Sequence, residues 1–178
     1  MSERSGVWWM LCAATLFAST TQADTSDCTP LPADFVLCAQ GTPWQSAEIM
    51  AFDNGVAFEL DPFWLEVFPA PEPVQSVQPF EAALDAMADL IAEQARNEGL
   101  GAPETLARDA FETEHAQFVT ITTQIELPED DPMIYMTMIA EAGGSRIILT
   151  FDSDVATTVD GVPQELRELA DMIRPKED

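Results

Sequence analysis

Three runs separated by short breaks decide the fold: Phe118-Val-Thr-Ile-Thr-Thr-Gln-Ile-Glu-Leu127, Met133-Ile-Tyr-Met-Thr-Met-Ile-Ala-Glu141 and Arg146-Ile-Ile-Leu-Thr-Phe151. β-Branched residues crowd them, as expected where a branched Cβ packs against neighbours on a pleated surface. Residues 128–132, bounded by two prolines, and the pair Gly143-Gly144 supply the reversals. Connections this short join antiparallel neighbours, because a parallel crossover needs a dozen residues or more. The spacing predicts a three-stranded antiparallel meander.

Toward the N-terminus, residues 103–114 fit either a short helix or an irregular strand through Leu106 and Phe111. Before them, Phe80, Ala83, Leu84, Met87, Leu90, Ile91 and Ala95 recur at helical spacing, with Glu81, Asp85, Asp89 and Glu93 on other faces. Gly99 or Gly101 is placed to end that helix. Further back, Asn54-Gly55 between two apolar runs predicts a type I′ hairpin with positive φ at both central residues. Val56, Phe58 and Leu60 then alternate with Ala57 and Glu59 until Asp61-Pro62 ends the strand. Residues 61–68 group with the loops, and Pro69, Pro71, Pro73 and Pro79 punctuate a stiff extended connection. Beyond the meander, Leu166, Leu169, Ala170 and Ile173 share one side of a closing helix over residues 163–174, stopped by Pro175. Hairpin, helix, meander, helix makes an α+β chain whose mainly antiparallel sheet is covered by helices.

Of 178 residues 47% are hydrophobic, a globular proportion, yet 32 Asp and Glu face 7 Lys and Arg for a net charge of −25. A surface so acidic repels phosphate, which excludes nucleic acid and anionic membrane surfaces as partners. At the start, Arg4 precedes an apolar stretch over residues 7–18, too short to span a bilayer as a helix, followed by Thr21-Gln22-Ala23. This predicts a cleaved signal peptide, residues 1–23, with Asp24 as the mature start and export to the periplasm or cell exterior. An uncleaved anchor is the competing reading, disfavoured by that length. Cleavage removes Cys12 and leaves Cys28 and Cys38, which in an oxidising compartment predict a disulfide. A redox or metal pair is the alternative, but the spacing fits neither C-x-x-C nor a zinc knuckle. Residues 24–44 are then a disulfide-bearing extension and residues 45–178 a single α+β domain.

The run Gly55-Val-Ala-Phe-Glu-Leu-Asp-Pro-Phe-Trp64 resembles the opening strand of the PsbP-like superfamily, in which a strand runs into Pro-x-Trp. The later layout, a long helix, a meander and a C-terminal helix ending near Asp171-Met-Ile-Arg174, is similar too. The resemblance covers most of residues 49–175 and leaves the N-terminal extension outside. It implies an α/β/α sandwich used for binding; photosystem accessory subunits, small-GTPase partners and secretion chaperones share it without a common active site. Fold analogy does not choose among those roles.

Residues that could carry chemistry are few. His115 is the only histidine, and Ser145 sits at a glycine turn rather than on the strand-to-helix elbow that exposes a nucleophile, so no catalytic residue is assigned. Glu126, Glu129, Asp130 and Asp131 crowd one turn, with Asp152 and Asp154 after the last meander strand. Hard oxygen ligands of this kind suit calcium or a cationic partner, although neither run has EF-hand spacing and a solvated acidic turn explains both. Phe63, Trp64 and Phe68 are the remaining cluster: core packing accounts for them, or an aromatic patch for a partner. Met136 and Met138 share a strand face and Met133 takes the other, a packing pattern more than a metal site. The expectation is an exported, non-enzymatic binding or accessory protein without a cofactor, engaging a protein or peptide. The alternative is a carboxylate-dependent hydrolase or calcium-binding protein of the same compartment.

Overall fold

The computed structural model describes residues 28–127, 132–152 and 162–176. Two short strands, β1 (Thr29–Pro30) and β2 (Phe35–Leu37), come first. A long sheet then begins with β3 (Glu48–Phe52), β4 (Gly55–Leu60) and β5 (Phe63–Pro69). The connection carries α1 (Glu72–Gln75) and the long helix α2 (Ala83–Asn97), and the chain returns through β6 (Glu104–Glu112), β7 (Gln117–Ile125), β8 (Met133–Ala142) and β9 (Ser145–Asp152). Helix α3 (Gln164–Asp171) and strand β10 (Ile173–Pro175) close it. The seven-stranded sheet runs β3-β4-β5-β9-β8-β7-β6, antiparallel throughout. The fold is α+β, as the order of patterns predicts.

Strand pairing explains why the meander reads as apolar without strict alternation. Phe118, Met136, Met138, Ile147, Leu149 and Phe151 point into one core with α3 and the N-terminal segment, while Val119, Ile121, Ile125 and Ile139 point into a second core under α2. A sheet buried on both faces needs apolar residues at both parities. On the first face the small sheet β1-β2-β10 brings Phe35, Leu37 and Ile173 into the core, so residues 28–44 pack as part of it. On the second, Phe80, Leu84, Ile91 and Ala95 of the helical segment lie over β7 and β8. Ion pairs brace both layers: Arg108 to Asp85 at 2.6 Å ties β6 to α2, and Arg167 to Asp109 at 2.9 Å ties α3 to β6.

The structure corrects five expectations. Residues 104–112 form a strand, so the meander has four strands rather than three; Phe111 stacks on Phe118 across the β6–β7 pair at 5.1 Å, a contact no local pattern announces. The closing helix stops at Asp171, and Ile173 instead pairs with Leu37 of β2, a partner far away in sequence. The β3–β4 turn falls on Asp53-Asn54, with Phe52 paired to Gly55 and no positive φ at Asn54 or Gly55. Glycine is needed at Gly55 for close approach instead: a Cβ there would meet the Val67 carbonyl oxygen on β5 and the rings of Phe52 and Phe68 within about 3 Å. The two-residue turn with both glycines at positive φ is the other hairpin, Gly143 (+60°) and Gly144 (+82°). Residues 63–68 are not a loop but strand β5, held between β4 and β9. The proline-rich connection, finally, is not extended throughout, since Glu72–Gln75 turns as α1.

Candidate functional site

The alternation of β5 separates the three aromatic candidates. Leu65 and Val67 point into the first core, and Phe63 packs on the same side, 6.2 Å from Trp44 and 5.5 Å from Phe151 between ring centroids. Successive strand side chains point to opposite faces, so Trp64, Glu66 and Phe68 share the other face. Their cross-strand partners there are Glu59, Ala57 and Gly55 on β4, backed by Glu48, Met50 and Phe52 on β3. Among the described residues no residue of β3, β4 or β5 belongs to the core under α2, although Trp64, Glu66 and Phe68 are half-buried and Ala57 between them is buried. Phe52 is 40% exposed with its ring 5.3 Å from that of Phe68, and β3 is an edge strand that also exposes Ile49 at 50%.

Where this face meets α2 there is a cleft of about 350 Å³. Its floor is a cross-strand row, Glu66 on β5, Thr150 on β9 and Thr137 on β8, neighbours about 5 Å apart in an antiparallel ladder. Phe68, Met87, Ile91, Leu100, Ile125 and Met133 wall it, and Glu98 and Tyr135 stand at the α2 side. No Lys, Arg or His lines it. Thr137 is 1% exposed, and among the described residues neither its hydroxyl nor that of Thr150 has a hydrogen-bond partner. Burial, with the charge of Glu98 adding to it, pushes the Tyr135 phenol up to about 12, so it stays protonated. Glu98 also accepts a hydrogen bond from Gln94 Nε2 at 3.0 Å.

The other sequence-derived candidates are scattered. Cys28 and Cys38 are joined in a disulfide, and the Arg174 guanidinium donates to Cys38 Sγ at 2.9 Å and to Cys28 Sγ at 3.4 Å. Glu126 accepts from Gln124 Nε2 at 3.0 Å on the surface, and Asp152 ends β9 opposite Trp64. Glu129, Asp130, Asp131 and Asp154 lie outside the described residues. Among the described residues no three His, Cys, Asp or Glu side chains converge as metal ligands. His115 sits in the β6–β7 turn, its backbone N–H donating to Thr113 Oγ1, and among the described residues no hydrogen bond joins it to Ser145.

Sequence reasoning passed over the cleft and Arg146. The cleft is assembled from five separate segments, and a single Glu or Thr in an amphipathic strand carries no mark of its neighbours. Arg146 is 1% exposed; its Nε donates to Glu141 at 2.5 Å and its Nη1 to the carbonyls of Val74 and Val77 at 2.6 and 2.8 Å, above the Phe80 ring. Its signal was available: one of few cations in the chain, opening a strand of otherwise apolar character.

No protein-family model matches the chain, and no curated protein matches it in sequence. Among solved structures, the solution structure of cyanobacterial PsbP from Synechocystis sp. PCC 6803 is similar at a TM-score of 0.54 and 12% identity, covering 80% of this chain and 86% of that one. A Pseudomonas aeruginosa protein of unknown function overlaps 63% of this chain and 71% of its own, at 16% identity and a TM-score of 0.35. At this identity the first likeness concerns architecture: the chain has a PsbP-like α+β fold.

Proposed function

We propose that this is an exported accessory protein that acts by holding another polypeptide on this face of β3, β4 and β5. The observation that carries the reading is the part of the sheet outside the α2 core, where exposed Phe52 and half-buried Trp64 and Phe68 share one face beside an edge strand. A large apolar group left outside both cores, rimmed by polar residues, is the usual character of a protein-binding patch. Glu48, Glu59 and Glu66 share that face, which favours a hydrophobic segment bearing Lys or Arg and disfavours an acidic one. The PsbP-like architecture supports an accessory role by analogy alone. Of the sequence-derived aromatic set, Trp64 and Phe68 remain in the site and Phe63 leaves it for the core.

The test is capture from an exported-protein extract, identification of the bound polypeptide, and titration of that purified partner against variants. Phe52→Glu and Trp64→Ala should each weaken binding at least about tenfold, the scale of one interface hot spot. Neutralising Glu129, Asp130 and Asp131 should change it little at physiological salt. Full loss in the acidic-turn variant with the aromatic variants unaffected would move the site to that turn. Intact mass of the exported protein tests the accompanying expectation that it begins near Asp24.

A further inference from the structure

The cleft between α2 and the β5-β9-β8 floor adjoins the aromatic face and shares Glu66 and Phe68 with it, but not Phe52 or Trp64. Its volume of about 350 Å³ is at the lower end of the range of small-molecule pockets, roughly 300–1,000 Å³. Three properties of its lining constrain an occupant. Seven apolar side chains line it, Phe68 among them. Its acidic side chains, Glu66 and Glu98, are both carboxylates with no Lys, Arg or His beside them in the lining. Thr137, 1% exposed and part of the cleft lining, has a hydroxyl without a hydrogen-bond partner among the described residues, which leaves it free to meet an occupant.

We propose that this cleft binds a primary ammonium group carried on a small apolar body, with Glu66 as counter-ion, the Thr137 and Thr150 hydroxyls as acceptors, and Phe68 against the apolar part. Ammonium supplies three donors and no acceptor, which matches a floor of one carboxylate and two hydroxyls. An anion would face two carboxylates with no compensating charge, and a purely apolar molecule would leave the Thr137 hydroxyl and the Glu66 carboxylate unsatisfied. Phe68, in the lining, offers an aromatic ring to the apolar body or the cation. The ammonium could belong to a free amine or to a lysine on a bound chain; the recognition chemistry is the same, and the two sources are distinguished below.

The full chain is titrated, by calorimetry and by amide chemical shifts, with phenethylammonium, phenethyl alcohol, phenylacetate and an end-blocked Leu-Lys-Leu tripeptide, at physiological salt to suppress diffuse attraction to the acidic surface. Phenethylammonium is expected to bind at least about tenfold tighter than the alcohol, with phenylacetate weakest, and its shifts should centre on Thr137, Thr150 and Glu66. Tighter binding of the tripeptide would name a lysine side chain as the source; tighter binding of the free amine would name a metabolite-sized ligand. Glu66→Gln should cost about tenfold and Thr137→Val a few-fold, with unchanged thermal midpoints showing that both remain folded. Glu165→Gln on α3, across the sheet, removes the same charge and should have no effect. Equal binding of the alcohol, no binding of either ammonium probe at millimolar concentration, or equal losses in Glu66→Gln and Glu165→Gln would overturn the proposal. Trp64→Ala should leave amine binding intact while weakening the polypeptide partner, so this site and the aromatic face stand or fall separately.

Discussion

Replacing Arg146 by Leu should destabilise the protein by about 2–4 kcal/mol, and the size follows from what the guanidinium holds. It is 1% exposed and binds three acceptors: the Glu141 carboxylate and the carbonyls of Val74 and Val77. Removing one partner of a buried ion pair costs about 3–5 kcal/mol when the remaining charge is trapped. Here the Glu141 side chain is 22% exposed and partly rehydrates, which lowers that figure. Val74 is fully buried, so its carbonyl is left without a donor at about 1–3 kcal/mol, whereas Val77 lies nearer solvent. Loss of the contact with Phe80, 5.1 Å from the guanidinium carbon, adds about 0.5–1 kcal/mol. An opposing gain comes from Nη2, which is buried without a partner among the described residues and disappears in the variant. Urea unfolding followed by circular dichroism measures the sum, and a cycle through Glu141→Leu and the double variant isolates the pair. The double variant should lose at least about 1 kcal/mol less than the two singles together. A single Arg146→Leu effect below about 0.5 kcal/mol, or strict additivity, would refute the view that Arg146 pins the α1 connection to the sheet.

Gly55→Ala should cost about 1–3 kcal/mol in thermal or urea unfolding, because the obstructing atom is the Val67 backbone oxygen, which no rotamer change can move aside. Reduction of Cys28–Cys38, ten residues apart, should lower stability by about 2–3 kcal/mol, and two free thiols in the denatured, unreduced exported protein would contradict the bond. Tyr135 is the only tyrosine, so phenolate absorbance reports it alone; its midpoint should lie near 12 and fall only in part in Glu98→Gln, because burial, the larger cause, remains. Since the folded-state value is raised above the unfolded value of 10.0, the unfolded chain loses this proton first, and stability should decline as pH rises from about 10 through 12.

What the sequence determined by itself is local: β-branched runs with short breaks make antiparallel neighbours, helical spacing running to Ala95 makes α2, which begins at Ala83, and Gly143-Gly144 makes a turn. Each depends on contacts within a few residues, so periodicity carries the information. Long-range pairing decided the rest. Ile173 satisfies helical spacing as well as it satisfies a strand, and only the waiting edge of β2 selects the strand. Phe63 and Trp64 are adjacent and equally aromatic, and their fates part because successive side chains of β5 point to opposite faces, Phe63 packing with the first core and Trp64 standing on the other face. The cleft is the extreme case, since Glu66, Thr137, Thr150 and Glu98 become one surface only when β9 inserts between β5 and β8 and α2 crosses above them. Composition announced an acidic protein; the packing decided which two of its many carboxylates face an apolar cavity with no cation to neutralise them.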